Sequence, residues 1–326
     1  KARPLLPARW VRCSRTRSTT MRANAPRSAF TRRDERRFYF FILPWLLGLL
    51  VFQAGPILAA LALSLTDWNL VANPEWRGIT HYDELIDDPL FHTALRNTLY
   101  YSLASVPLGV GLAFGLALLV NRSWFGMGVF RTVFLLPALV SGAAIALVWG
   151  WLFNPRFGAV NAALRTLHLP TPGWLADPSW AMPTIILLSL WSVGGWMLIY
   201  LAGLRTIPRE LYDAARIDGA GPVALTRHVT LPLLSPTTYF LLVVGTIMSL
   251  QLFTPTYILT EGGPRNSTLT LPLYIYRNAF EWQELGYAAA LSVILILLTL
   301  VLTLVQVALA RRWVFYAGSP PGLRGR

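Results

Sequence analysis

The sequence predicts an all-α membrane protein: six transmembrane helices and one polar helix-turn-helix outside the bilayer. Three observations carry that prediction. Hydrophobic residues make up 55% of the 326 residues and charged residues only 13%, with a mean hydropathy of +0.50. The apolar residues fall in runs of twenty or more, the length a helix rising 1.5 Å per residue needs to cross ~30 Å of hydrocarbon. The basic residues gather in alternate connections between those runs. Thirteen Trp and twelve Tyr suit a chain with two lipid–water interfaces, where amphipathic rings settle. The runs do not alternate in short segments, as the strands of an outer-membrane barrel would.

Taken in order, residues 1–37 are strongly basic, lack apolar periodicity and read as a disordered cytoplasmic segment. The first run, 38–65, has no charged residue and contains Pro44 and Pro56, which predict a kink. No small-residue cleavage site follows it, so it reads as a retained anchor. Residues 67–96 are polar and mildly acidic. The second span, 98–120, carries Gly109, Gly111 and Gly115, which permit close helix packing. A short turn, 121–131, leads to the third span at 132–153, with Pro137 inside it. After a proline-rich loop, 154–179, comes the fourth span at 180–204. A polar island follows, then the fifth span at 233–259, a loop at 260–283 and the sixth span at 284–310. Residues 38–312 form one domain in this reading, and 313–326 are a short basic tail.

Six spans place both termini on one side. The segments on that side carry a net charge of +17 and the rest of the chain −4, together the +13 of the whole. Positive charge collects on the cytoplasmic side, so both termini and the polar island are predicted to be cytoplasmic. Membrane topology therefore accounts for the basic balance, and nucleic acid is not a predicted partner. The single cysteine, Cys13, cannot form an internal disulfide.

The island, 206–236, reads TIPRELYDAARIDGAGPVALTRHVTLPLLSP. Thr206 is an N-cap candidate, and Pro208 suits a first turn. Glu210 and Asp213 lie where the helix dipole favours negative charge. Gly219 and Gly221 end the helix, and Pro222 opens a second one. The predicted local structure is helix, glycine turn, helix.

Pro208, Glu210, Leu211, Asp213, Ala214, Ala215, Ile217, Asp218, Gly219 and Ala220, followed by Leu231, Pro232, Leu233 and Pro236, resemble the EAA loop of bacterial ABC importer permeases of the carbohydrate type. Asp213 stands where that family usually has glutamate, and Leu225 where an aromatic residue is common. The segments FRTVFLLPALVSGAAIALVWGWLF, FGAVNAAL and TEGGP are also similar to it, so the resemblance covers roughly 38–312.

The resemblance implies a permease subunit of an ATP-driven, binding-protein-dependent importer in the bacterial inner membrane, for a sugar or related polyol. It implies three partners: a second, homologous permease in a heterodimer, a cytoplasmic ATPase dimer, and an extracytoplasmic solute-binding protein docking on 67–96, 154–179 and 260–283. Coupling to the ATPase would fall to Glu210, Asp213, Ala214, Ala215, Asp218, Gly219 and Ala220. The solute path would include Leu188, Trp191, Ser192 and Gly195, at i, i+3, i+4 and i+7 on one helical face, together with Gly245, Ser249, Gln251 and Leu252. These positions line up, by distance from the island, with sugar-contacting residues of maltose-type permeases. Met21 opens a segment more typical of such permeases, so residues 1–20 read as an extension without a role in the fold.

Other chemistry is not predicted. The sequence has no G-x-x-x-x-G-K-[ST] phosphate loop, so ATP and Mg belong to the partner ATPase and this chain is expected to bind no cofactor. His81, His92, His168 and His228 lack metal-ligand spacing and read as surface residues; no metal site and no catalytic residue is predicted. A secondary transporter would show internal repeats or a membrane-embedded charged relay, and neither is present. A membrane transferase would need polar groups clustered at an interface, and the Asp87-Asp88 doublet, with no metal partner, reads as a solvated loop.

Overall fold

The computed structural model describes residues 32–69, 73–121 and 126–315. The predicted disorder of 1–31, Arg122 and most of the C-terminal tail lie outside those residues. The chain divides into two compact units, 1–55 and 56–326. The first holds α1 (Arg32–Leu49) and a π-helical turn, Leu50–Ala54. Pro44 is accommodated inside α1, and the π-helical turn ends just before Gly55-Pro56.

The second unit begins with most of α2 (Gly55–Leu63) and a short antiparallel ribbon, β1 (Thr66–Asp67) and β2 (Glu75–Trp76). After α3 (Thr80–Asp87) comes α4 (Pro89–Val120), 32 residues long and hence ~48 Å. It starts nine residues before the predicted span because Asp88 caps it. The Leu90 amide donates to the Asp88 carboxylate at 2.8 Å, and Pro89 occupies the first turn, where its missing N–H is no loss.

The predicted third span is two helices, α5 (Met127–Leu139) and α6 (Gly142–Leu152), bent by 99°. Pro137 removes one backbone donor near the end of α5, and Val140 is extended. After α7 (Ala159–Thr166), the fourth span is also broken, into α8 (Pro178–Trp191) and α9 (Gly194–Thr206) at 46°. A second Asp-Pro pair starts α8: the Ser179 amide donates to Asp177 at 2.8 Å. The polar island forms α10 (Arg209–Ile217), α11 (Pro222–Leu225), a π turn and α12 (Leu231–Leu233). Then come α13 (Ser235–Leu250), α14 (Thr254–Thr260), α15 (Leu271–Tyr276) and α16 (Leu285–Trp313).

Among the described residues, three helical stretches are long and apolar enough to cross a membrane: Phe38–Leu63, Pro89–Val120 and Leu285–Trp313. Three bent pairs raise the total to six if each is one span. The principal core packs α4 against α9 and α13, through Val106, Val110, Met197, Tyr200, Leu234 and Leu241. A second core, around Leu85, Leu271, Tyr274 and Leu291, ties α15 and its preceding loop to α3, α4 and α16. There Asn97 donates to the carbonyls of Asn266 and Leu269 at 2.8 and 3.0 Å, and Thr98 accepts from the Leu271 amide at 2.8 Å.

Candidate functional site

Two regions carry the sequence-predicted residues: the polar island and a cavity inside the helical bundle. In the island, Pro208 rather than Thr206 precedes the helix. Thr206 is still in α9, where its hydroxyl donates to the Gly203 carbonyl at 2.8 Å, so it is not available as a cap. The end of α10 follows the sequence closely. Gly219 has φ of +82°, the Ala220 amide donates to the Ala215 carbonyl at 2.9 Å, and the Gly219 amide to Arg216 at 3.0 Å. These are the paired bonds of a Schellman motif, which satisfies the last carbonyls of a helix only when the residue after the cap is left-handed. Gly221 has φ of −74°; its place is to precede Pro222, not to supply a left-handed residue.

Glu210, Asp213, Ala214, Asp218 and Gly219 are exposed, and Ala215 and Ala220 are half-buried. Asp213 pairs with Arg216 at 3.0 Å, so its carboxylate is engaged within α10 itself. The most conspicuous groups are apolar: Ile217 is 87% exposed, Val223 80% and Leu211 44%. The helix pair is held to the bundle by Tyr212, whose hydroxyl lies 3.1 Å from that of Thr230.

The cavity has a volume of about 240 Å³ and lies between α4, α8, α9 and α13. Of the residues predicted for the solute path, Ser192, Gly245 and Ser249 line it. Leu188 is buried and Trp191 exposed, and neither they nor Gly195, Gln251 and Leu252 reach it. The single face drawn through 188–195 does not exist, because the helix stops at Trp191 and restarts at Gly194 with a new axis. Gln251 and Leu252 likewise fall in the break between α13 and α14.

The lining is hydroxyl-rich and uncharged: Tyr101, Ser105, Ser189, Ser192 and Ser249 face an apolar wall that includes Trp196 and Met248. Ser249 shares a hydrogen bond of 2.6 Å with Ser102 and donates to the Thr246 carbonyl at 2.8 Å. Sequence reasoning missed the contribution of α4. The signal was the small and polar series Ser102, Ser105 and Gly109, spaced for one helical face. Gly109 and Gly245 both abut Trp196: a Cβ at either would sit 2.9 or 2.8 Å from the indole.

At the far end of α4, Asp88 accepts hydrogen bonds from Tyr274 (2.5 Å) and Tyr287 (2.6 Å). Burial alone would raise this carboxyl. The two phenols, with the Leu90 and Phe91 amides, outweigh burial and hold it below the usual carboxylate value. The Tyr274 phenol is pushed up, by burial and then by the carboxylate it faces. His81, expected at the surface, is 4% exposed, with Nδ1 3.2 Å from Glu84 and Nε2 3.1 Å from the Thr66 carbonyl. The β1 backbone and the i+3 carboxylate supply the polar partners that permit its burial. No group of three or more metal-ligating residues occurs among the described residues.

Residues 105–315 match the family model described as a binding-protein-dependent transport system inner membrane component. The chain is 37% identical over 295 residues to the probable ABC transporter permease protein YesP of Bacillus subtilis, covering 89% of this chain and 95% of that one. It is 36% identical to the lactose transport system permease protein LacF of Rhizobium radiobacter, covering 89% and 99%. Among solved structures, a chain of the bacterial alginate ABC transporter, crystallised with a periplasmic protein bound to alginate pentasaccharide, superposes with a TM-score of 0.77. That match has 25% identity and covers 87% of this chain and 98% of the other.

Proposed function

The chain belongs to the family of binding-protein-dependent transport system inner membrane components, as a permease subunit of an ABC importer, and from that premise we propose how it works and what it carries. Its solute is a sugar or related neutral polyol. The cavity supports this, because hydroxyl groups beside an indole suit a ring with polar edges and C–H faces, whereas no charged side chain is present to neutralise an anion. Relatives named for lactose and arabinooligosaccharide transport agree with that class. Ser192, Gly245 and Ser249, with Tyr101 and Ser105, line the solute path in this reading.

The six spans are the three long helices, the bent pairs α5–α6 and α8–α9, and α13, and the +17 side is cytoplasmic with α10 and α11 outside the bilayer. α10 and α11 then face an ATPase dimer, α10 entering a cleft of that partner. The observation that carries this is the rigid Schellman turn beside the exposed Ile217 and Val223. Apolar side chains this exposed on an otherwise polar segment mark a surface that another protein covers. Glu210, Asp213, Ala214, Ala215, Asp218, Gly219 and Ala220 form the remainder of that contact. The ATPase holds and hydrolyses ATP with its Mg; this chain converts closure of the ATPase into movement of the helices around the cavity. A second permease completes the path, and an extracytoplasmic solute-binding protein delivers to it.

Tagged protein purified from its own membranes in mild detergent tests the reading. Co-elution of a nucleotide-hydrolysing subunit, lost in Gly219→Val, is the expected result. A chain that elutes without ATPase activity, or a Gly219→Val variant that retains all of it, overturns the coupling role.

A further inference from the structure

Trp196 is the third residue of α9, just after the break at Ser192-Val193. Its six-membered ring enters a notch between α4 and α13 where both helices present glycine. An added Cβ at Gly109 would lie 2.9 Å from Cζ3, and one at Gly245 would lie 2.8 Å from Cη2. The other glycines of α4 behave differently: at Gly111 and Gly115 an added Cβ meets nothing within 4 Å. The notch is therefore shaped for the indole. On one side Trp196 packs against the principal core, and protein interiors are close-packed. On the other it forms part of the wall of the uncharged cavity.

We infer that Gly109 and Gly245 set the size of solute the cavity admits, by fixing how far the Trp196 indole withdraws from it. This rests on reading the cavity as part of the solute path. Carbon atoms pack at about 3.5–4.0 Å, so a methyl group at either glycine drives the ring back by roughly 1 Å. The close-packed core blocks retreat in that direction, and the ring moves into the cavity instead. In a space of about 240 Å³, such a shift matters for a group the size of a sugar ring and little for a methyl group. Replacing Trp196 with a smaller residue removes the constraint and makes the glycines dispensable.

The test needs no knowledge of the natural solute. Ser105, one turn before Gly109 on α4 and part of the cavity lining, is replaced by cysteine in a Cys13→Ser background, in membranes containing the whole importer. The thiolate attacks the sulfenyl sulfur of a methanethiosulfonate, forming a disulfide and releasing methanesulfinate. Rates are compared for the methyl and benzyl reagents, both neutral. We expect Gly245→Ala to slow the benzyl reagent at least tenfold and the methyl reagent less than threefold, with Gly109→Ala behaving alike. Adding Trp196→Leu to Gly245→Ala should return the benzyl rate to within threefold of the parent. Equal slowing of both reagents, no slowing, or failure of Trp196→Leu to restore the rate overturns the inference. A Ser105→Cys thiol inert to both reagents, with the ATPase still co-purifying, overturns the cavity as part of the path while leaving the coupling role in place.

Discussion

Substituting Gly219 separates the conformational requirement of the turn from every other property of the island. Its φ is +82°, and a Cβ built there meets nothing within 4 Å. The cost of a side chain is therefore confined to the backbone, roughly 1–2 kcal/mol for an ordinary L-residue held in the left-handed region. Asparagine tolerates that region and should cost less, while a β-branched side chain should cost more. If the turn instead relaxes to negative φ, the bonds from Ala220 to Ala215 and from Gly219 to Arg216 are lost, and Ile217 and Val223 no longer keep their relative placement. Either way the docking-competent form is disfavoured by that 1–2 kcal/mol, which is roughly a 5- to 30-fold loss of affinity for the ATPase. α10 has no buried residue, so insertion and bundle packing should be unchanged. The assay is binding of the purified permease to its ATPase across glycine, asparagine, alanine and valine at 219, with affinity expected to fall in that order. A valine variant binding within twofold of the parent, or an asparagine variant weaker than valine, would refute the reasoning.

Three further perturbations have defined outcomes. Asp213→Asn breaks an ion pair whose partners are 63% and 64% exposed, so it should change the melting temperature in detergent by no more than ~0.5 kcal/mol would. Gly194→Ala places a Cβ 1.9 Å from the Phe134 carbonyl oxygen, while its neighbour Gly195 has open space. The first should lower thermal stability by ~3 kcal/mol or prevent assembly, and Gly195→Ala should leave stability unchanged or raise it by up to ~1 kcal/mol. Because the Asp88 carboxyl is held below its ordinary value, its contribution is fully present above the unfolded value near pH 4 and is lost as pH falls through the lower folded value. Melting curves should therefore show a decline on the acid side, and Asp88→Asn, which keeps a cap but loses the charge facing two phenols, should cost ~2 kcal/mol at neutral pH and flatten that decline.

The parts of the fold legible in the sequence are those written in local chemistry. Apolar runs marked the long helices, and Pro-Gly punctuation located α10, its turn and α11. What escaped was direction. Hydropathy is indifferent to whether an apolar run goes straight, so the 99° bend between α5 and α6 and the 46° bend between α8 and α9 left no trace beyond Pro137 and the glycines at 194 and 195. Leu188, Trp191, Ser192 and Gly195 were placed on one face by assuming a continuous helix, and only Ser192 lines the cavity; the lining instead runs through Ser189, Ser192 and Trp196, a face one residue over that hydropathy did not distinguish. His81 was misread for a related reason: its burial depends on the Thr66 carbonyl of β1, a tertiary partner, and only the i+3 spacing to Glu84 was visible locally. The Trp196 notch joins glycines from two helices far apart in the chain, and no window of sequence contains both.

The same geometry joins the cavity to the island through a single stretch of chain. α9 spans 13 residues and carries Trp196 in its first turn and Thr206 at its end, ~15 Å apart along the axis. Only Ile207 and Pro208 separate it from α10. Ile207 is 9% exposed, and Pro208 has its φ fixed by the ring, so this connection contains no slack that could absorb a displacement of α10. Along its length α9 is gripped from two sides. Met197, Tyr200 and Leu204 lie in the principal core with α4 and α13, Tyr200 hydrogen-bonds Thr238 at 2.9 Å, and Gly203 allows Leu234 to approach within 2.8 Å of where a Cβ would stand. At the other end, Gly194 rests directly on the Phe134 backbone of α5. A force on α10 is thus borne by a short, tightly packed helix whose first turn holds the indole at the cavity wall. Packed helices shift between discrete arrangements more readily than they deform, which makes α9 the physical link between the polar island and the cavity and, under the proposed function, the coupling element.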